Sequence, residues 1–166
     1  AGRVHLRWRY PVCGAGLIFC YLFFAAAQAK IVISLPEMVI PKGVVLVGKT
    51  MLPVAIAKSK DEQPVLLDVV GTYIPTDRSI IPFQLENCQV SALAMLDAFD
   101  RSQIRLTRLT CGEFQQELEG YAINERHHRG ISPQCDNERC GSATISKDSQ
   151  VLVVVTRQVS IKYRGR

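Results

Sequence analysis

Residues 85–121, LENCQVSALAMLDAFDRSQIRLTRLTCGEFQQELEGY, hold Cys88 and Cys111 on either side of a hydrophobic span and a polar turn. In an exported chain that folds this stretch as a hairpin, the two sulfurs meet across neighbouring strands and clip the unit shut. The arm after the turn carries the clearest signal: residues 104–110, IRLTRLT, begin with strict alternation that slips phase near Arg108, and a β-bulge there accounts for the slip. The arm before the turn is ambiguous. Residues 91–99, SALAMLDAF, have helical propensity, with Leu93, Leu96 and Phe99 on one face, but their flanks are strand-like, and we read them as a strand ending at the turn 100–103.

Outward from this hairpin, short β-branched runs alternate with proline and glycine. Residues 31–35, IVISL, stop at Pro36, and residues 38–47, MVIPKGVVLV, place a Pro41-Lys42-Gly43 turn between strand formers. Pro53 marks a strand start or an edge, a polar turn follows at 59–63, and residues 64–71, PVLLDVVG, form the next strand before a turn at Pro75-Thr76-Asp77. Beyond the hairpin, residues 114–123 pair polar with apolar positions and residues 124–136 read as a long hydrophilic loop. The final strand is 151–155, with Val159 and Ile161 continuing it. This spacing predicts an all-β, mainly antiparallel domain, a small sandwich or barrel-like body, preceded by an N-terminal apolar signal helix.

The segment ahead of the domain reads as an export signal. Arg3, His5, Arg7 and Arg9 form a basic flank, residues 12–24 are apolar and uncharged, and small residues follow, with Ala27 and Ala29 at the A-x-A positions and Lys30 as the first mature residue. Residues 1–29 are then a signal peptide and 30–166 a single periplasmic β-domain. The alternative is an uncleaved inner-membrane anchor, since 12–29 approaches the roughly 20 residues that span a bilayer. In either case the basic flank stays in the cytoplasm, and membrane contact runs through this segment or through an assembled complex. Composition agrees with one folded domain: 166 residues, 48% hydrophobic and 21% charged. The net charge of +5 gathers at the two ends of the chain, with no phosphate loop and no aromatic stacking platform, which argues against nucleic-acid binding.

Export shapes the cysteine chemistry. Cys13 and Cys20 leave with the signal, so the mature chain keeps Cys88, Cys111, Cys135 and Cys140. Of the three possible connectivities, Cys88 with Cys111 and Cys135 with Cys140 needs the least rearrangement. Zinc held by Cys135, Cys140, His127 and His128 is the competing reading. It suffers from adjacent histidines that diverge on an extended chain and from an oxidising compartment. Ser91, Ser102 and Ser142 lack a nucleophile elbow, and the carboxylates Asp61, Glu62, Glu117 and Glu119 fall on a turn and on an outer strand face, so no catalytic constellation, cofactor or metal is expected. Arg126, His127, His128 and Arg129 are a candidate docking patch for an acidic partner, set against the plainer reading of a solvated loop.

Several features recur in order over 39–123: Ile40-Pro41-Lys42-Gly43, Pro64-Val65-Leu66-Leu67 after a charged turn, Leu85 followed by Cys88, Ile104-Arg105-Leu106 leading to Leu109-Thr110-Cys111, and Glu119-Gly120-Tyr121. In these the chain resembles the C-terminal periplasmic domain of the TraB/TrbI-type scaffold proteins of conjugative type IV secretion systems. The resemblance implies a barrel-like, non-catalytic domain that forms a homo-oligomeric ring with a lipoprotein and a second periplasmic β-protein in an outer-membrane core complex. The chain departs from that family in lacking a proline-rich stalk and a helical hairpin between 123 and 155, and in carrying the insert with Cys135 and Cys140. Strand addition to a partner is expected at edge strands 31–35 and 151–155. Two other readings stay open: a secreted, disulfide-stabilised β binding module unrelated to secretion machines, and a zinc-dependent enzyme. Edman sequencing of the protein recovered from envelope fractions should read from Lys30; a first residue within the basic flank refutes cleavage.

Overall fold

The computed structural model describes residues 37–76, 85 and 88–162; the signal segment with Ala27, Ala29 and Lys30, and the strand expected at 31–35, lie outside the described residues. Those residues belong to one compact unit. Its strands are β1 (Glu37–Ile40), β2 (Val45–Thr50), β3 (Val54–Ala57), β4 (Gln63–Tyr73), β5 (Cys88–Leu96) and β6 (Ser102–Cys111). They continue with β7 (Phe114–Glu117), β8 (Gly120–Ile123), β9 (Gln134–Cys135), β10 (Ser142–Ile145), β11 (Gln150–Val155) and β12 (Val159–Lys162).

The ambiguous stretch is a strand. β5 and β6 pair antiparallel from Cys88 opposite Cys111 to Leu96 opposite Ser102. The expected bulge is present: Ser91 faces Arg108 and Ala92 faces Leu106, leaving Thr107 as the extra residue, its hydroxyl donating to the Ser91 carbonyl at 2.9 Å. Because of that extra residue, Ile104 and Leu106 point inward before the bulge and Leu109 points inward after it.

Closure follows from the two neighbours of this hairpin. β5 also pairs with β4, β4 with β2, β2 with β11, β11 with β8, and β8 returns to β6 through Arg105 opposite Tyr121, so six strands form an antiparallel, barrel-like sheet. Alternate residues fill the interior: Val65, Leu67 and Val69 from β4, Val90, Ala92, Ala94 and Leu96 from β5, and Val151, Val153 and Val155 from β11. A barrel of six strands is narrower than the eight-stranded kind, whose interior is just filled by side chains. Small inward residues at 92, 94 and 122 meet that constraint, which is why β5 reads as helical by composition although it is a strand.

Two long strands bend where they leave the barrel. β1 pairs with β12 in the same register that pairs β2 with β11, so 37–50 and 150–162 make one ribbon broken at the Pro41-Lys42-Gly43 turn. Gly43 takes φ +92° there and donates its amide to the Val155 carbonyl at 2.8 Å. β12 is thus a separate strand in a second sheet and does not extend β11 within the barrel. β7 and β8 likewise form one strand interrupted at Leu118 and Glu119, where the Leu118 amide still donates to the Thr107 carbonyl at 3.1 Å. Gly120 is required at that crossing: a Cβ there would collide with the Val154 carbonyl oxygen.

Above the hairpin tip, β3, β10 and β9 form a three-stranded cap whose Val54, Ile56, Ala143 and Ile145 are buried against the barrel core. Thr50, itself buried, ties the cap to the barrel. Its hydroxyl donates to the Ser146 carbonyl at 2.6 Å and accepts from the Ser149 amide at 2.8 Å. The strand β10 went unread in the sequence because four residues flanked by polar turns gain strand character only by pairing with β3. The strand 151–155, expected at an edge, is corrected: β11 lies between β2 and β8 with both sides paired, so it offers no edge to a partner.

Both local cysteine pairs are disulfides. Cys88–Cys111 closes the base of the β5–β6 hairpin with Cα atoms 4.3 Å apart, the close spacing of directly opposed residues in an antiparallel pair. Cys135–Cys140 closes the β9–β10 turn in the cap, Cα atoms 4.9 Å apart, with Cys140 buried. The two pairs point to an oxidising compartment. The larger loop removes more disorder from the unfolded chain. Replacing Cys88 and Cys111 together by alanine should therefore cost about 3 kcal/mol in urea unfolding, against about 2 kcal/mol for Cys135 and Cys140. The opposite ranking contradicts the entropic account.

Candidate functional site

The basic run 126–129 sits on a tight hairpin, where the sequence suggested a long loop. Asn124 donates its amide to the His128 carbonyl at 2.9 Å, and three residues, Glu125, Arg126 and His127, make the turn between them. The Asn124 side-chain oxygen accepts from the Arg126 and His128 amides, each at 2.9 Å, while His127 takes φ +63°. This is a type I turn closed by a left-handed residue, in which Asn at the first position satisfies amides that the ladder leaves free. The returning segment pairs Arg129 with Ile123 and Ile131 with Ser102, filling the gap where β8 and β6 diverge.

The β5–β6 tip repeats that design. Asp97 donates its amide to the Arg101 carbonyl at 2.9 Å, its carboxylate accepts from the Phe99 and Arg101 amides at 2.8 and 3.0 Å, and Asp100 takes φ +60°. The turn expected at 100–103 therefore lies at 97–101, because the Asp97 side chain nucleates it and frees Ser102 and Gln103 to enter β6. Gln103 adds a hydrogen bond to the second Asp97 oxygen at 2.8 Å, and Lys58 at the end of β3 pairs with Asp100. Both loops are thus held by side-chain caps.

Between these twin loops lies an open groove of about 670 Å³. Ile123, Ile131 and Leu152 supply its apolar lining, Arg101, Arg126 and His128 its cationic groups, and Glu125 a carboxylate, with Asn124, Ser132 and Gln150 completing the wall. Half of the expected patch therefore contributes to the groove. His127 is exposed in its left-handed turn, and Arg129 turns away to lay its guanidinium over the Tyr121 ring, 4.8 Å from the centroid. Arg101, Gln150 and Leu152 were missed. They lie far along the chain from 126–128, and only the wrap of β6, β8 and β11 brings them together.

The chemical candidates disperse. Cys135 and Cys140 are joined to each other, which removes both thiolates from any zinc site, and among the described residues no cluster of three or more His, Cys, Asp or Glu stands close enough to hold a metal. Ser102 is fully buried, with its Oγ lacking a hydrogen-bond partner; Ser142 donates to Asp136 at 2.7 Å; Ser91 points out from β5. Glu62 pairs with Arg105 at 2.9 Å and Glu119 with Arg157 at 2.6 Å, while Glu117 is exposed on β7. These carboxylates do not converge.

Asp97 is the group whose ionisation matters to the site. Desolvation alone would raise its pKa, but the Arg101 amide, the Gln103 side chain, the Phe99 amide and the Arg101 charge together hold it below the usual value of 3.8. A depressed folded-state pKa stabilises the loop above the unfolded value and loses that contribution as pH falls through the depressed one. The stability gap between wild type and Asp97→Asn should stay constant above about pH 5 and close as pH drops below 3.8. A gap that widens in acid refutes the cap.

No protein-family model and no curated protein matches the chain.

Proposed function

We propose that the protein is a non-catalytic, disulfide-clipped β-domain that acts by protein association in the periplasm, as a component or accessory of a conjugative type IV secretion envelope complex. One structural observation carries the association reading. The six-stranded barrel is filled by its own side chains and covered at the tip end by the cap sheet, which leaves recognition to the outer wall and loops. The disulfides support an exported location, and the ordered features over 39–123 that resemble the TraB/TrbI-type domain supply the envelope context. In this reading the partners are a lipoprotein, a second periplasmic β-protein and further copies of this chain. The same filled barrel also supports a secreted β binding module unrelated to secretion.

A tagged full chain, purified from solubilised envelopes of the organism that makes it, separates the two readings. The expected result is a particle several times the monomer mass, containing a lipoprotein and another periplasmic β-protein. A monomer without envelope partners transfers the case to the unrelated binding module.

A further inference from the structure

We infer that the groove between the twin loops receives an acidic, extended segment of a partner protein, with an apolar side chain seated on Leu152 and carboxylates paired to Arg101 and Arg126. The inference rests on the association reading and names the chemistry of one contact in it.

The charges select this groove. Of the other exposed cations, Lys58, Arg105 and Arg157 are paired with Asp100, Glu62 and Glu119, while Lys49, Lys60, Arg139 and Lys147 form no ion pair among the described residues but line neither groove. Arg101 and Arg126 form no ion pair among the described residues, and both residues line the same depression. A second groove of about 280 Å³, between β7 and β12, has Arg157 as its cation, and Glu119 already neutralises it. Among the lining residues of the first groove Glu125 offsets one of the two arginines, leaving one positive charge with His128 counted as neutral, while Asp97, outside the lining, feels the Arg101 charge. Guanidinium groups recognise carboxylates with two parallel hydrogen bonds, so a ligand carrying carboxylates matches these walls better than one carrying cations or only hydroxyls.

Shape and stiffness favour the same ligand. About 670 Å³ lies within the roughly 300–1,000 Å³ of sites that enclose small ligands, enough for a few residues of extended chain. Leu152 on β11 gives the groove a fixed apolar floor, held in place by its cross-strand partner Ile123 on β8, which is itself buried. The arginines themselves stand on loops whose backbones are tied by Asp97 and Asn124, so binding orders side chains without first having to order the chain.

The test is an amide NMR titration of the full mature chain at low ionic strength with the blocked tripeptide acetyl-Glu-Leu-Glu-amide, against acetyl-Gln-Leu-Gln-amide. Saturable shifts are expected at residues 101, 126, 128, 150 and 152 with the acidic peptide alone. Arg101→Ser combined with Arg126→Ser should weaken binding about tenfold, and Glu125→Gln should tighten it about twofold. The opposite signs separate a charge-reading groove from general loss of structure, and a cooperative thermal transition within a few degrees of the wild type confirms that these exposed positions leave the fold intact, the Arg101 charge being only the smallest of the causes acting on Asp97. Absence of saturable binding overturns the inference. So do equal shifts with both peptides, or an unaltered affinity in the double arginine variant. The double variant carried through the envelope purification keeps the two readings apart: the same partners retained at the same yield remove the groove from the assembly while leaving association in place.

Discussion

Ring closure through the β5–β6 ladder is the constraint on which the remaining structure depends. With β5 bound to β4 on one side and to β6 on the other, and β8 meeting β6 at Arg105 and Tyr121, the six strands close on themselves and every inward side chain must fit a narrow interior. Alanine at 92, 94 and 122 and glycine at 120 follow from that restriction, as does the bulge at Thr107, which turns β6 so that Leu109 can stay inside. The Cys88–Cys111 disulfide locks the base of the same ladder, so the covalent clip and the hydrogen-bonded closure reinforce a single pairing.

The two ends of the barrel are treated differently. At the tip end the chain spends residues 51–62, 97–101 and 124–149 on a cap sheet, two capped hairpin loops and a small disulfide. At the base end the ribbon of β1 and β12 leads away from the barrel in unbroken register with β2 and β11, with Ile40, Val159 and Ile161 buried along it. Chain entry and exit therefore lie on adjacent strands at one end, while the groove lies near the other.

In the twin loops the residues that shape the proposed groove are also residues that stabilise the fold. Asp97 and Asn124 are needed to complete the backbone hydrogen bonding of two turns, and in doing so they aim Arg101, Arg126 and His128 at one depression. Exposed arginines on a mobile loop would lose part of their pairing energy to ordering; on a capped three-residue turn that loss is smaller. The extra carboxylate of Glu125 trims the positive charge, which favours selectivity for ligands that place their acids near the arginines.

Local signals in the sequence determined the strand character of most of the described chain, the turn at Pro41-Lys42-Gly43 and the bulge beside Arg108, because each depends on residues near one another in the chain; they favoured the local pairing of the four cysteines among three connectivities, and the fold decided it. Other features were decided by contacts between distant segments. The choice of barrel over sandwich needed β5 to meet β6 and β4 together. The burial of 151–155 between two neighbours, against its expected edge position, needed β8 to cross behind the hairpin. The groove was half legible. Residues 126–129 announced themselves as a basic run, but Arg101 and Leu152 join Arg126 and His128 only because closure of the sheet carries β6, β8 and β11 to the same side, a long-range geometry that no local pattern encodes.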